Sequence, residues 1–375
     1  MTNSLHPERN HGLDTLRALA IVLVVLHHYV LFVAVRDTFG WVGRIGWVGV
    51  DLFFALSGYL IGNQIFVALR SGQPFSLGRF YARRFLRTLP NYYVVLALYA
   101  LWPWFRAGLE MPPLWRFLTF TLNINQMPGT AFSHAWSLCI EEQFYVLLPA
   151  AALAIAALRT SLRWAWGAIA LVILAGIAIR YQMWSAHVAP ADSNGSDYFR
   201  YIYYSTLCRF DELVAGVALA LLKNYHAAAW QWLTARANLA LAGGAAVLAL
   251  AFWMFLDDRM GMIVTLIGFP MLAAGFGLLI VAALGRGSLL GRARIPGAAS
   301  LALWSYAIYL VHKQLCILAR EPLRALGYPP ESLPAIGAML ALSVVGGWLL
   351  YRCVETPFMV LRQRYVPGNL KPLRN

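Results

Sequence analysis

Apolar residues run along the chain in stretches of about twenty, broken by short polar or basic segments, and this pattern predicts membrane-spanning helices. Ten can be placed, near 14–35, 47–69, 88–108, 138–158, 163–184, 205–223, 237–256, 261–284, 299–319 and 334–356. The runs lack the polar–apolar alternation of a membrane barrel. The expected fold class is therefore an all-α polytopic membrane protein with about ten transmembrane helices. Segment 114–126, LWRFLTFTLNINQ, is too short and polar to span and predicts a re-entrant or interfacial helix. No repeat or low-complexity linker divides the chain, so one membrane domain over 1–375 is expected, without a fused soluble domain. The first apolar run is long, carries Arg17, His27 and His28, and has no A-x-A site. It reads as a mature helix rather than a signal peptide.

Charge gives these spans a direction. Loop 70–87 holds Arg70, Arg79, Arg83, Arg84 and Arg87, loop 285–297 holds Arg286, Arg292 and Arg294, and the tail holds Arg362, Arg364, Lys371 and Arg374. The alternate loops are poorer, with Arg36 and Arg44, then Arg116 beside Glu110, then Asp192, Asp197 and Arg200, then Asp257-Asp258-Arg259. The positive-inside bias then places both termini in the cytoplasm and the protein, multi-pass, in the inner (cytoplasmic) membrane. Composition agrees: 60% of residues are hydrophobic and 12% charged, where a soluble domain carries about 25% charged residues. The net charge of +14 fits that loop bias and anionic membrane lipids rather than nucleic acid. Cys139, Cys208, Cys316 and Cys353 lie in or beside apolar runs without paired spacing, and are expected to be buried free thiols.

Polar side chains inside such spans are costly and mark functional sites by default. Arg17 and His28 are eleven residues apart, about three helical turns, so they share a face. Asp14 lies close to that face and His27 well off it. With the spans oriented, Asp51, Ser57, Glu141, Glu142, Gln143, Arg209, Asp211, Glu212, Tyr309, His312 and Lys313 converge on the outer half, opposite the basic inner loop. A histidine among carboxylates suits proton abstraction from a hydroxyl, with His28 as general base and Glu141 orienting the ring. Arg17 either neutralises phosphate or pairs with Asp14, and Arg83, Arg84 and Arg87 either clamp donor phosphates or anchor a helix start. Ser57 has no G-x-S-x-G context and reads better as part of a Ser57-Gly58 packing step than as a nucleophile. Trp136, Tyr145 and Tyr309 read as walls. No H-E-x-x-H or similar spacing calls for a metal.

With those residues in view, the chain resembles the acyltransferase type 3 family of membrane acyltransferases. The blocks that carry the resemblance are LDTLRALAIVLVVLHH, GVDLFFALSGYLI, FYARRFLRTLPNYY, AWSLCIEEQFYVLLP, and WSYAIYLVH with the closing ETPF, joined by CRFDELVAG. The first block has the family's arginine, ten residues and then histidine, which selects Arg17 and His28. The resemblance implies a ten-span fold that moves an acyl group, usually acetyl, from cytoplasmic acyl-CoA to an extracytoplasmic hydroxyl. The acceptor is then a sugar of lipopolysaccharide, exopolysaccharide, peptidoglycan or a secreted glycan. It also implies importance for Arg17, His28, Arg83, Arg87 and Glu141. Some relatives carry a fused extracytoplasmic domain, so a separate partner protein is expected here.

The expected mechanism places acyl-CoA, a donor substrate rather than a bound cofactor, with its phosphates on Arg83, Arg84 and Arg87 and its arm along the Arg17–His28 stripe. His28, assisted by Glu141, would take the proton of an acceptor hydroxyl entering from outside, and Asp14, Ser57, Trp136, Arg209, Tyr309 and His312 are further candidates for substrate binding. Tyr309 or Arg209 would stabilise the oxyanion, and the 109–135 and 185–204 segments would shape acceptor choice. The rival class is a proton-coupled transporter or lipid-linked glycan flippase, because intramembrane His, Asp and Glu also build proton relays.

Overall fold

The computed structural model describes residues 10–34, 38–72, 75–157 and 161–369, and among them every regular element is helical. Val35, Arg36, Lys371 and Arg374 lie outside the described residues. The long helices are α1 (His11–Phe32), α2 (Val48–Arg70), α3 (Leu77–Leu101), α4 (Trp136–Ala157) and α5 (Leu162–His187). After them come α6 (Asp211–Tyr225), α7 (Ala237–Asp257), α8 (Phe269–Leu284), α9 (Ala298–Ala325) and α10 (Leu333–Leu350).

Eight helices among the described residues are long and apolar enough to cross a membrane, against the expected ten. The exceptions are α3 and α6. With 15 residues, α6 is about 22 Å long, short of the ~30 Å hydrocarbon thickness. Helix α3 has 25 residues, but Arg79, Arg83, Arg84 and Arg87 fill its first half. That first half was expected to be loop. Arginine is a good helix former, and the Ser76 hydroxyl accepts a bond from the Arg79 N–H at 3.3 Å, capping the earlier start. Arg84 and Arg87 therefore reach their cavity from a helix rather than from a loop.

Helix α1 packs against α2, α8 and α9. The tightest pairing joins α2 to α6, where a Cβ on Gly58 would strike the Leu213 carbonyl and one on Gly216 the Ala55 carbonyl. Two glycines thus let these backbones touch. Gly58 serves the expected packing step, while the Ser57 side chain turns elsewhere. In the α8 span, Val264–Leu284, 67% of the apolar window is buried; for α5 the figure is 6%, which sets α8 at the centre and α5 at the periphery.

The expected interfacial segment forms only the short helix Leu114–Leu118 and then folds over the bundle, burying Phe117, Leu122 and Phe132 completely. On α3, Tyr92 donates to the Phe117 carbonyl at 3.1 Å and stacks on Phe120 at 5.0 Å, while Trp115 stays exposed. Cys139, Cys208 and Cys316 are buried, but Cys353 is exposed, on the outward side of the wide turn Tyr351–Glu355.

Candidate active site

The polar residues gather around two cavities that share Val50 and Tyr309 as a common wall. The first, about 150 Å³, lies among α1, α2, α3, α4 and α9. Arg17 of α1 and Arg84 and Arg87 of α3 line it, with Ser57, Glu141, Glu142, Tyr145 and Tyr306. The Ser57 hydroxyl donates to Glu141 Oε1 at 2.8 Å. The Arg84 guanidinium lies 3.1 Å from the Tyr145 ring centroid and 3.4 Å from Glu142 Oε1. Arg87 is exposed and, among the described residues, has no hydrogen-bond or ion-pair partner. Arg17 feels Arg87 as a like charge and Asp14 and Glu141 as opposite ones. An electropositive pocket of this kind suits a phosphorylated or otherwise anionic ligand. Its volume is below the roughly 300–1,000 Å³ typical of a pocket for a whole small-molecule ligand.

The second cavity, about 60 Å³, is lined by His27, His28, His134, Trp47, Trp136, Tyr203 and Arg259, among others. Its polarity comes from imidazoles. His312 Nδ1 lies 3.0 Å from the Ile308 carbonyl, which can only accept, so Nδ1 carries the proton. In the neutral ring His312 Nε2 is then an acceptor, and His28 Nδ1, 2.7 Å away, donates to it. The remaining nitrogen, His28 Nε2, keeps its lone pair, and among the described residues nothing hydrogen-bonds to it. This assignment follows from the hydrogen-bond pattern. It is the tautomer that a general base needs. His27 is occupied otherwise, with Nδ1 2.8 Å from the Gly43 carbonyl.

A strained turn delivers the fourth imidazole. Phe132 has φ +53°, an uncommon conformation for a bulky residue. Its ring is held by Tyr99 at 4.7 Å and Phe117 at 5.8 Å. Directly after it, Ser133 receives a bond from Lys313 at 2.9 Å, and His134 enters the cavity with its ring 5.9 Å from that of His28.

Several expected placements change. Glu141 does not orient His28: it is paired with Ser57 in the arginine cavity, and His312 holds the His28 ring instead. His312, expected among the substrate-binding residues, lines neither cavity and instead holds the His28 ring. Arg209 is completely buried, bonded to Asp51 at 2.5 Å and to the Tyr203 carbonyl at 3.0 Å, and reaches neither cavity. Arg83 bonds the Val366 carbonyl at 2.5 Å and stays outside the arginine cavity. The Tyr309 hydroxyl donates to the His134 carbonyl at 2.8 Å, so its proton is committed. Trp136 is a wall, its ring tilted against that of Tyr203 with centroids 4.8 Å apart. Asp14 lies one turn below Arg17 and lines neither cavity.

The structure adds three residues the sequence reading passed over. Arg362 stands close enough to Arg83, Arg87 and Glu355 to feel their charge, and Glu355 is fixed by Asn91 at 2.8 Å. Arg259 lines the histidine cavity, its guanidinium over Trp47 at 4.7 Å. His134 had a signal, standing two residues before Trp136 in the quoted AWSL block. Among the described residues, no three His, Cys, Asp or Glu side chains form a metal-binding group. A wider cavity, about 390 Å³, lies among α2, α4, α5 and α6 and is walled by Phe66, Phe144, Leu148, Ile169 and similar residues. It offers surface to lipid tails and no acid–base group beyond Tyr225.

A family model described as an acyltransferase domain matches residues 10–352. The peptidoglycan O-acetyltransferase OatA of Listeria monocytogenes is 30% identical over 225 residues, which is 56% of this chain and 33% of its own length. The O-acetyltransferase OatA of Staphylococcus aureus is 29% identical over 152 residues, 37% of this chain and 24% of its own. The chain therefore matches about a third or less of the length of these curated relatives. No solved structure matches it.

Proposed function

The chain belongs to this acyltransferase family, and from that premise we propose that it is a membrane O-acyltransferase that moves an acetyl group from cytoplasmic acetyl-CoA to a hydroxyl of an extracytoplasmic glycan. The observation that carries the reading is the Ile308–His312–His28 hydrogen-bond chain, which leaves His28 Nε2 unprotonated beside the arginine cavity. Donor phosphates rest on Arg87, Arg84 and Arg362 at the cytoplasmic mouth. The arm passes Arg17, Ser57 and Glu141, whose carboxylate offsets the repulsion between the arginines while the path is empty. The thioester arrives at the wall shared with the histidine cavity, where the acceptor enters from the other side.

His28 Nε2 takes the proton of the acceptor hydroxyl as its oxygen attacks the thioester carbonyl carbon. The C–S bond then breaks, and the CoA sulfur leaves with the proton held on Nε2. His312 keeps the ring in the reactive tautomer throughout. The relatives named for O-acetylation of peptidoglycan favour a glycan acceptor. The test is release of free CoA from acetyl-CoA by purified protein given envelope glycan. His28→Ala should reduce turnover about a thousandfold or more, the general-base contribution being about 10²–10⁴. His312→Ala should cost less, and Glu141→Gln should act mainly on the KM for acetyl-CoA. Near-normal turnover in a folded His28→Ala protein removes this mechanism.

A proton-coupled carrier remains the second reading, on one observation. Glu212 is fully buried beside the Asp51 carboxylate, and neither of its oxygens receives a bond from a donor among the described residues, a setting that suits a proton-carrying group. A carrier transports without consuming acetyl-CoA, so the same CoA assay separates the two.

A further inference from the structure

We propose that His134 is a specificity-determining residue that accepts a hydrogen bond from a second hydroxyl of the acceptor, so that the protein selects acceptors presenting two neighbouring hydroxyls. The inference rests on the reading of His28 as the base that takes the acceptor proton. His134 Nε2 lies 3.2 Å from the Leu310 carbonyl. A carbonyl only accepts, so Nε2 carries the proton and Nδ1 is a bare acceptor. That Nδ1 is buried and has no hydrogen-bond partner, and the residue as a whole is only 3% exposed.

An unsatisfied buried acceptor is costly and calls for an explanation. Here it belongs to a residue lining the same small cavity as His28, with ring centroids 5.9 Å apart. Two rings that line one cavity thus each keep a lone pair that finds no donor among the described residues. The ligand that satisfies both brings two O–H donors on adjacent carbons, as a sugar diol does. Trp47, Trp136 and Tyr203 supply apolar faces for its C–H groups. A mono-alcohol would fill the same volume and leave Nδ1 bare, which is how a polar site rejects an analogue lacking one hydroxyl.

The experiment uses the full chain with acetyl-CoA and compares 1,2-propanediol with 1-propanol as acceptors, with envelope glycan as a reference, reading free CoA and the ester formed. The wild-type protein should use the diol about tenfold better than the mono-alcohol. His134→Gln keeps a donor for the Leu310 carbonyl but loses the Nδ1 acceptor, and should bring the diol-to-mono-alcohol ratio close to one. His134→Asn, which returns an oxygen near the Nδ1 position, should recover part of the preference. Equal use of the two alcohols by wild type, a preference that survives in His134→Gln, or glycan turnover with neither alcohol accepted would each overturn the proposal. Absence of CoA release with any acceptor would overturn the acyltransfer reading on which it stands.

Discussion

Arg180 and Arg209 form one pair of arginines drawn into the bundle, and Arg84 and Arg87 form another, yet they are satisfied in opposite ways. Arg180 holds Asp211 with two nitrogens, at 2.5 and 3.0 Å, and the Cys208 carbonyl at 2.8 Å. Arg209 holds Asp51 and the Tyr203 carbonyl, and the Phe269 and Tyr203 rings lie within 4.5 and 4.6 Å of its guanidinium. Both are completely enclosed and line neither of the two polar cavities. Arg84 instead stacks on a tyrosine with one long ion pair, and Arg87 faces the cavity unpaired among the described residues. An arginine whose terminal nitrogens are held by a buried carboxylate and backbone carbonyls is a brace. One whose donors face an open space is held ready for a ligand.

The largest effect should therefore come from a brace. Arg209→Met leaves Asp51 buried without its partner, a loss of about 3–5 kcal/mol for breaking a buried pair. Folded protein recovered in detergent should fall sharply. Adding Asp51→Asn removes the stranded charge and should recover much of it. If Arg209→Met alone purifies normally and loses only turnover, Arg209 belongs with the ligand-facing group after all. Arg87→Ala should behave in the opposite way, with normal folding and a KM for acetyl-CoA raised about tenfold, the scale of one charge-assisted hydrogen bond. A change confined to kcat would move Arg87 away from donor binding.

The division between braces and binders was not legible in the sequence, although most of the helices were. Long apolar runs mark α1, α2, α4, α5 and α7 through their composition alone. Helix α3 was set eleven residues late because its arginines resemble a positive loop anchor; Ser76 capping and side-chain burial, both tertiary facts, decide otherwise. Spacing along α1 correctly gave Arg17 and His28 a common helix, but it carries no information about which side chain from another helix meets the ring. The partner of His28 comes from α9, 284 residues away. Glu141 was an equally good candidate until the Ser57 contact was seen. Arg209 was misread for the same reason, since Asp51 lies 158 residues from it.

Arg83 gives the smallest and most discriminating expectation. It sits one residue from Arg84 in the same basic run, and family resemblance gives it weight as a donor contact. Yet its guanidinium bonds the Val366 carbonyl, while Arg84 and Arg87 line the cavity. On a helix, neighbours in sequence are about 100° apart around the axis, whereas positions three and four apart share a face. Arg83 and Arg84 therefore point to different surroundings, while Arg87, four residues from Arg83 and three from Arg84, lies between them, so the Val366 contact rather than the spacing sets Arg83 apart. Arg83→Gln keeps a donor for the Val366 carbonyl and should change the KM for acetyl-CoA by less than about twofold, the effect of a distant charge screened by solvent. Arg83→Ala should loosen the chain near Val366, seen as faster proteolysis there, again with donor affinity nearly unchanged. A tenfold rise in that KM for Arg83→Gln would mean that the cavity opens further toward the C-terminal segment than its present walls allow, and that the Val366 contact is released when donor binds.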